Sequence, residues 1–239
     1  KSNIMKFSNN RLTLAAASLV FLISGCTKKL DEAFLNPNAA IKQPIEEILP
    51  GVISNMAISA SANGNLYGPM NDGRLVGSYV QFWAVNATLN QSDRMGGATG
   101  GSDNLGSIWA MHYYGQGLNI SSIIEWGTEQ KKWDYVGVAQ AIRAWGWLTL
   151  TDMHDDVILK EAFRRDLLVF KYDTQEEVYQ EVKRLCYEAL SNLNKTGDGV
   201  NPANLAISDA WGNGGDINKW KRFVYGVLAR VSHRITNKA

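Results

Sequence analysis

The stretch "WDYVGVAQAIRAWGWLTLT", residues 133–151, decides the fold. Val136, Ala139, Ile142, Trp145 or Gly146, and Leu150 recur at helical spacing, and only Asp134 and Arg143 carry charge. The positions between them are also largely apolar or small, which leaves no stripe for solvent. A helix that is apolar on nearly every side has to lie inside a larger assembly of helices. The first expectation is therefore a mainly α fold, a helical bundle with this segment internal.

The segments around it fit that expectation. In "TQEEVYQEVKRLCYEALSNL", residues 174–193, Thr174 and Glu177 form the two ends of a capping box, in which each side chain satisfies the other's free backbone N–H. Val178, Val182, Leu185, Ala189 and Leu193 share one face, and Glu176 and Glu177 complement the positive end of the helix dipole. Residues 219–235 form a third helix, with Trp220, Phe223, Val224, Val227, Leu228 and Val231 as its stripe. Lys221, Arg222, Arg230 and Arg234 fall mostly off that stripe and read as a solvated basic face. Residues 49–62 and 108–126 are further helices, the second interrupted by Gly115 and Gly117. Gly- and Asn-rich segments between them read as long loops, and strand signals are sparse.

Composition narrows the function classes. The chain has 239 residues, 45% hydrophobic and 20% charged, which suits one large globular domain or a large part of one. A net charge of +1 argues against nucleic acid as a partner, because phosphate binding needs a concentrated basic surface. Aromatic residues make up 10% of the chain and many lie close to Gly and Asn. Such rings suit stacking on the apolar faces of sugars, although packing in the core accounts for most of them.

The chain opens with an apolar run at residues 12–23, shorter than the roughly 20 residues needed to span a bilayer. Lys6 and Arg11 precede it, small residues close it, and Met5 is the first methionine, which is the layout of a secretory signal peptide. Ile23-Ser24-Gly25-Cys26 resembles the bacterial lipobox, where the chain is cut before a cysteine that is then acylated. The expected organisation is a signal peptide at 1–25, with 1–4 upstream of the true start, lipidation at Cys26, a tether at 26–35 and a folded body at 36–239. Cys186 is then left without a disulfide partner.

Asp152, His154, Asp155 and Asp156 gather in "TDMHDD" and invite a metal or acid/base reading. Neither EF-hand spacing nor His-Glu-x-x-His is present, so the segment reads as a helix-ending loop with solvated carboxylates. No nucleophile elbow, phosphate loop or zinc cluster appears, and His112 and His233 stand alone as structural residues. No catalytic residue, metal or cofactor is expected. Ligand contact is assigned to "SYVQFWAVNATLNQSDR", residues 78–94: Tyr79 and Trp83 to stack on a sugar face, and Gln81, Asn86, Asp93 and Arg94 to bond its hydroxyls. The alternative is that Tyr79, Phe82 and Trp83 pack as core.

Three motifs together resemble the SusD/RagB family of Bacteroidota outer-membrane lipoproteins, and most closely its second SusD-like branch. They are "KKLDEAFLNPN" after the lipobox, "LTLTDMHDDVILKEAF" at the end of the internal helix, and "DAWGNGGDINKWKRFVYGVLARV" leading into the last helix. Asp155 and Ile158 stand where the family usually has Gly and Pro, and Tyr225-Gly226 where it usually has Ala-Asn. The chain is shorter than a usual member and lacks a helix stop signal near Ala239, so 36–239 reads as the N-terminal part of the family's domain. The resemblance implies tetratricopeptide-like helix pairs, although no clean 34-residue repeat is visible. It also implies a lipid-anchored protein on the outer membrane, facing the exterior. There it would bind glycans or other nutrients and deliver them to a TonB-dependent SusC-like transporter. The competing classes are a structural or assembly lipoprotein that holds a protein partner, and a lipid-anchored glycoside hydrolase.

Overall fold

The computed structural model describes residues 42–57, 76–82, 106–164 and 166–238, and residues 44–239 form one compact unit. Seven α-helices are present among the described residues: α1 (Ile45–Ala57), α2 (Gly106–Ala110), α3 (Gly117–Glu129), α4 (Trp133–His154), α5 (Gln175–Leu193), α6 (Pro202–Ser208) and α7 (Ile217–Arg234). A π-helical segment, Met111–Gln116, joins α2 to α3, and a 3₁₀ turn, Thr236–Lys238, follows α7. The described residues contain no strand, only one antiparallel bridge between Val157 and Asp173. None of their helices is long and apolar enough to cross a membrane.

Side-chain contacts fix the helix order and direction. The backbone of α3 at Gly127 lies beside Ile45 of α1 and Val136 of α4. At the other end of α3, Arg143 of α4 donates to the Gly117 carbonyl at 2.7 Å, so α3 and α4 are antiparallel. Between α4 and α5, Gln140 donates to Glu188 at 3.1 Å and accepts from Asn192 at 2.8 Å, whereas Asp152 accepts from Tyr179 at 2.9 Å. That pairing is again antiparallel. Consecutive antiparallel helices stacked side by side agree with the helix pairs that the family resemblance implies.

The internal position of α4 is realised in full: buried residues run along it from Asp134 to Thr151 on every side. Around it pack Ile120 and Ile123 of α3, Val178, Val182 and Ala189 of α5, and Val224, Val227 and Val231 of α7. The capping box at Thr174 is present, with both reciprocal bonds made. Helix α7 starts two residues earlier than the periodicity indicated, because Asp216 accepts from Asn218 N and Lys219 N at 2.8 and 3.2 Å and so sets its N-terminus.

Two helices depart from expectation. Helix α1 begins at Ile45, ahead of the expected Leu49, and carries Pro50 inside it. Ile45, Leu49, Val52 and Ile53 form one fully or nearly buried stripe, and that burial outweighs the hydrogen bond lost at Pro50. Helix α6 was not expected at all, although its signal is local. Asn201 accepts from Asn204 N at 3.2 Å and Pro202 occupies the first helical turn, where its missing N–H costs nothing.

Candidate functional site

The sequence "WAMHYYGQG", residues 109–117, crosses the π-helical segment, and that geometry distributes its rings. A π-turn holds more residues than an α-turn and often marks a functional position. His112 points into the core, its ring 4.1 Å from that of Trp147. Tyr113 is half-buried and donates from its hydroxyl to the Ile158 carbonyl at 2.7 Å. Tyr114 is 78% exposed. Trp109, one turn earlier, lies 4.6 Å from the Tyr113 ring at 49°. Burial pushes the Tyr113 hydroxyl well above its ordinary range, so it stays a neutral donor.

The facing wall comes from the connection between α4 and α5. Asp173 holds this loop in shape: its carboxylate accepts from Leu159 N at 2.9 Å and Lys160 N at 2.8 Å, and Lys160 Nζ lies 3.2 Å away. Backbone bonds between Val157 and Asp173, at 3.1 and 2.7 Å, close it. Burial pushes the Asp173 carboxyl up, but these donors outweigh burial and hold it below its usual range. Between the two walls lies a groove of about 370 Å³. Trp109, Tyr113, Tyr114, Phe163 and Phe170 line it, and Arg164 is the one charged residue among its described lining residues. Its size and apolar, ring-rich lining fit a small-ligand site. A larger depression of about 670 Å³ between α1 and α6 contains no aromatic side chain among its described lining and is crossed by the Lys132–Glu46 ion pair.

Phe163 forms part of the groove floor. Its backbone has φ +65°, the left-handed region that non-glycine residues avoid, and its ring presses on Gly117 so closely that a Cβ there would lie 2.0 Å from it. Over the face of the ring lies Arg143, its guanidinium carbon 4.6 Å from the ring centroid. Arg143 also donates to Ser121 Oγ at 2.9 Å. This layer is buried, and His112 Nδ1 and Nε2, Gln116 Oε1 and Arg143 Nε have no hydrogen-bond partner among the described residues. Burial, reinforced by the Arg143 cation, holds His112 well below its ordinary pKa, and burial lowers Arg143 to about 10. Gly146 makes room for this layer, because a Cβ there would lie 2.5 Å from His112 Nδ1.

The residues assigned to ligand contact from sequence are only partly visible. Tyr79 closes a short helical turn at 76–79, and Gln81 follows it, exposed, with φ +57°. Neither is among the residues lining the groove. Phe82 is 81% exposed, so the alternative that placed it in the core is not followed. Trp83, Asn86, Asp93 and Arg94 lie outside the described residues, as does Cys26. The groove rings were missed because "IWAMHYYGQG" reads locally as an ordinary helix. The clustering of four ring side chains within six residues was the available signal.

The "TDMHDD" segment requires a correction. Asp155 and Asp156 are exposed as expected, but the Asp152 side chain is only 2% exposed. It accepts from Tyr179 Oη at 2.9 Å, Arg230 Nη2 at 2.8 Å and Arg234 Nε at 3.3 Å, and so ties α4, α5 and α7 together. The basic face expected of the last helix is corrected with it, since two of its four cations serve this carboxylate. Burial, then the bond to Asp152, pushes the Tyr179 hydroxyl up to about 12. His154 lies edge-on to Trp109, with ring centroids 5.4 Å apart, and no group of three metal-ligating side chains occurs among the described residues.

"DAWGNGGDINKW" is likewise structural, wound around one buried carboxylate. Asp209 accepts from Asn213 N at 3.0 Å, Gly215 N at 2.9 Å and Trp220 Nε1 at 2.7 Å. Gly214 and Gly215 have φ of +63° and +73°, which only glycine adopts without strain.

Comparison with known proteins agrees with this architecture. No curated protein matches the sequence. A crystal structure of a SusD/RagB family protein from Bacteroides thetaiotaomicron superposes with a TM-score of 0.67 at 24% identity, covering 83% of this chain and 39% of the other. The chain thus spans about two-fifths of the length of that solved relative. Residues 42–239 match the second SusD-like family, described as starch-binding associating with outer membrane. With that match over most of its length, the chain belongs to the second SusD-like family.

Proposed function

We propose that this protein is a surface lipoprotein, anchored through Cys26 and facing the exterior. It binds glycans or related nutrients without turning them over and passes them to a TonB-dependent SusC-like transporter. Family membership supports the class, and the groove is the observation that carries the ligand reading: five aromatic side chains converge on about 370 Å³ beside a single cation. Ring faces stack on the apolar faces of sugars, and the Tyr113 and Tyr114 hydroxyls and Arg164 supply polar partners at the edges. Tyr79, Gln81, Trp83, Asn86, Asp93 and Arg94 belong to this proposal as further contacts from the preceding segment.

The test is calorimetric titration of the chain from Thr27 onward with starch-derived and other oligosaccharides. Trp109→Ala is expected to weaken binding by up to about 10-fold, the loss of one aromatic contact of about 0.5–1.5 kcal/mol, with the helical circular dichroism unchanged. Undiminished affinity in a folded Trp109→Ala protein would remove the groove from the proposal. A second reading, a lipoprotein that holds a protein partner, is favoured by Leu168 and Trp211, which stand 97% and 92% exposed. It predicts no sugar affinity in any variant.

A further inference from the structure

One ring belongs both to the groove and to the buried polar layer: Phe163 lines the groove and lies 4.6 Å from the Arg143 guanidinium carbon. Arg143 is a buried cation whose contacts among the described residues are neutral: the Gly117 carbonyl, the Ser121 hydroxyl and the Phe163 face. Glu181 is the acid whose charge it senses, but no ion pair joins them among the described residues. A buried charge without a counter-ion is costly, and unpaired buried polar atoms add to that cost. Beside it, Gln116 Oε1 has an acceptor to spare, and His112 and Arg143 Nε have donors. Native proteins keep few such groups, and several together suit an ordered water, an ion or a ligand as the missing partner.

Phe163 is placed to admit one. It sits in a loop at φ +65°, a backbone conformation that stores strain, and its ring both lines the groove and lies against the Arg143 guanidinium. A pyranose ring is close in size to the phenyl ring it would replace. We propose that Phe163 is a gate and that the ligand opening it is an acidic sugar, whose carboxylate pairs with Arg143 while its hydroxyls meet Gln116 and His112. Carboxylate and guanidinium match in planar, two-bond geometry, and the pair neutralises the buried cation. This inference rests on the glycan-binding reading and names the ligand class within it.

The experiment titrates the protein from Thr27 onward with oligogalacturonate and with a neutral maltooligosaccharide of equal length, in wild type, Phe163→Ala and Arg143→Gln. The acidic sugar is expected to bind wild type about 10-fold tighter than the neutral one, as a buried charge-assisted pair requires. Phe163→Ala removes the closed state and so tightens acidic binding several-fold, leaving neutral binding no tighter. Arg143→Gln abolishes the preference. Equal affinity for both sugars in wild type overturns the inference while leaving the glycan reading intact, and absence of all sugar binding overturns both. If Arg143→Gln fails to fold, Phe163→Ala decides: unchanged affinity for the acidic sugar overturns the gate.

Discussion

Replacing Asp209 tests whether one carboxylate organises the glycine-rich loop between α6 and α7. Asp209 is fully buried, and its Oδ2 accepts both Gly215 N and Trp220 Nε1 while Oδ1 accepts Asn213 N. Asparagine has the same shape but only one acceptor oxygen. If its amide nitrogen faces Gly215 and Trp220, two buried donors lose their partner; if it is flipped, Asn213 N does. Hydrogen bonds to charged groups contribute about 1.5–3 kcal/mol, and a buried donor left unpaired costs about 1–3 kcal/mol. Asp209→Asn is therefore expected to cost about 2–3 kcal/mol, and Asp209→Ala about 4 kcal/mol, since the three bonds do not add in full. The assay is urea unfolding followed by tryptophan fluorescence, with melting temperatures in parallel; a chain of this size should lose about 2–4 °C per kcal/mol. A double-mutant cycle with Trp220→Phe isolates the indole bond and should show a coupling of at least about 1 kcal/mol. A loss under about 0.5 kcal/mol for Asp209→Asn, within the range of ordinary surface substitutions, would refute the reasoning.

Other positions give sharper contrasts in sign. His112 is held neutral by burial, so in the acid range the unfolded chain binds a proton that the folded one refuses. Stability should therefore fall as pH drops below about 6.5, by up to about 1.4 kcal/mol per pH unit, until the folded-state pKa is reached. A pH series of urea melts between 7.5 and 5.5 should show this slope in wild type and its loss in His112→Leu. Gly215→Ala forces a Cβ to within 2.6 Å of the Ala206 backbone at φ +73°, and is expected to cost about 3 kcal/mol from strain and overpacking. Gly226→Ala, in α7 with nothing within 4 Å of the added carbon, should instead stabilise by up to about 1 kcal/mol. Asp152→Asn should cost about 2 kcal/mol, with Arg230 and Arg234 regaining water because both are half-exposed; no loss in a thermal melt would mean that α7 is held by its apolar stripe alone.

The sequence by itself determined the helical class, the internal position of α4, the capped start of α5 and the apolar stripe of α7. These features are local: a stripe is written every three or four residues, and the Thr174–Glu177 box closes within one turn. It also carried the three motifs from which family membership could be read. What only the tertiary structure decided joins residues far apart in the chain. Asp152 reads as a solvated acid until Arg230 and Arg234, about eighty positions later, are folded against it. "HYY" reads as one helical turn until the π-segment turns the His112 ring to the core and both tyrosine rings to the groove, and Phe163 joins the groove lining only when its loop is pinned by Asp173 onto Gly117. Periodicity records which face of an element is apolar, not which element covers it, so the groove and the polar layer beneath it had no signature that a single segment could carry.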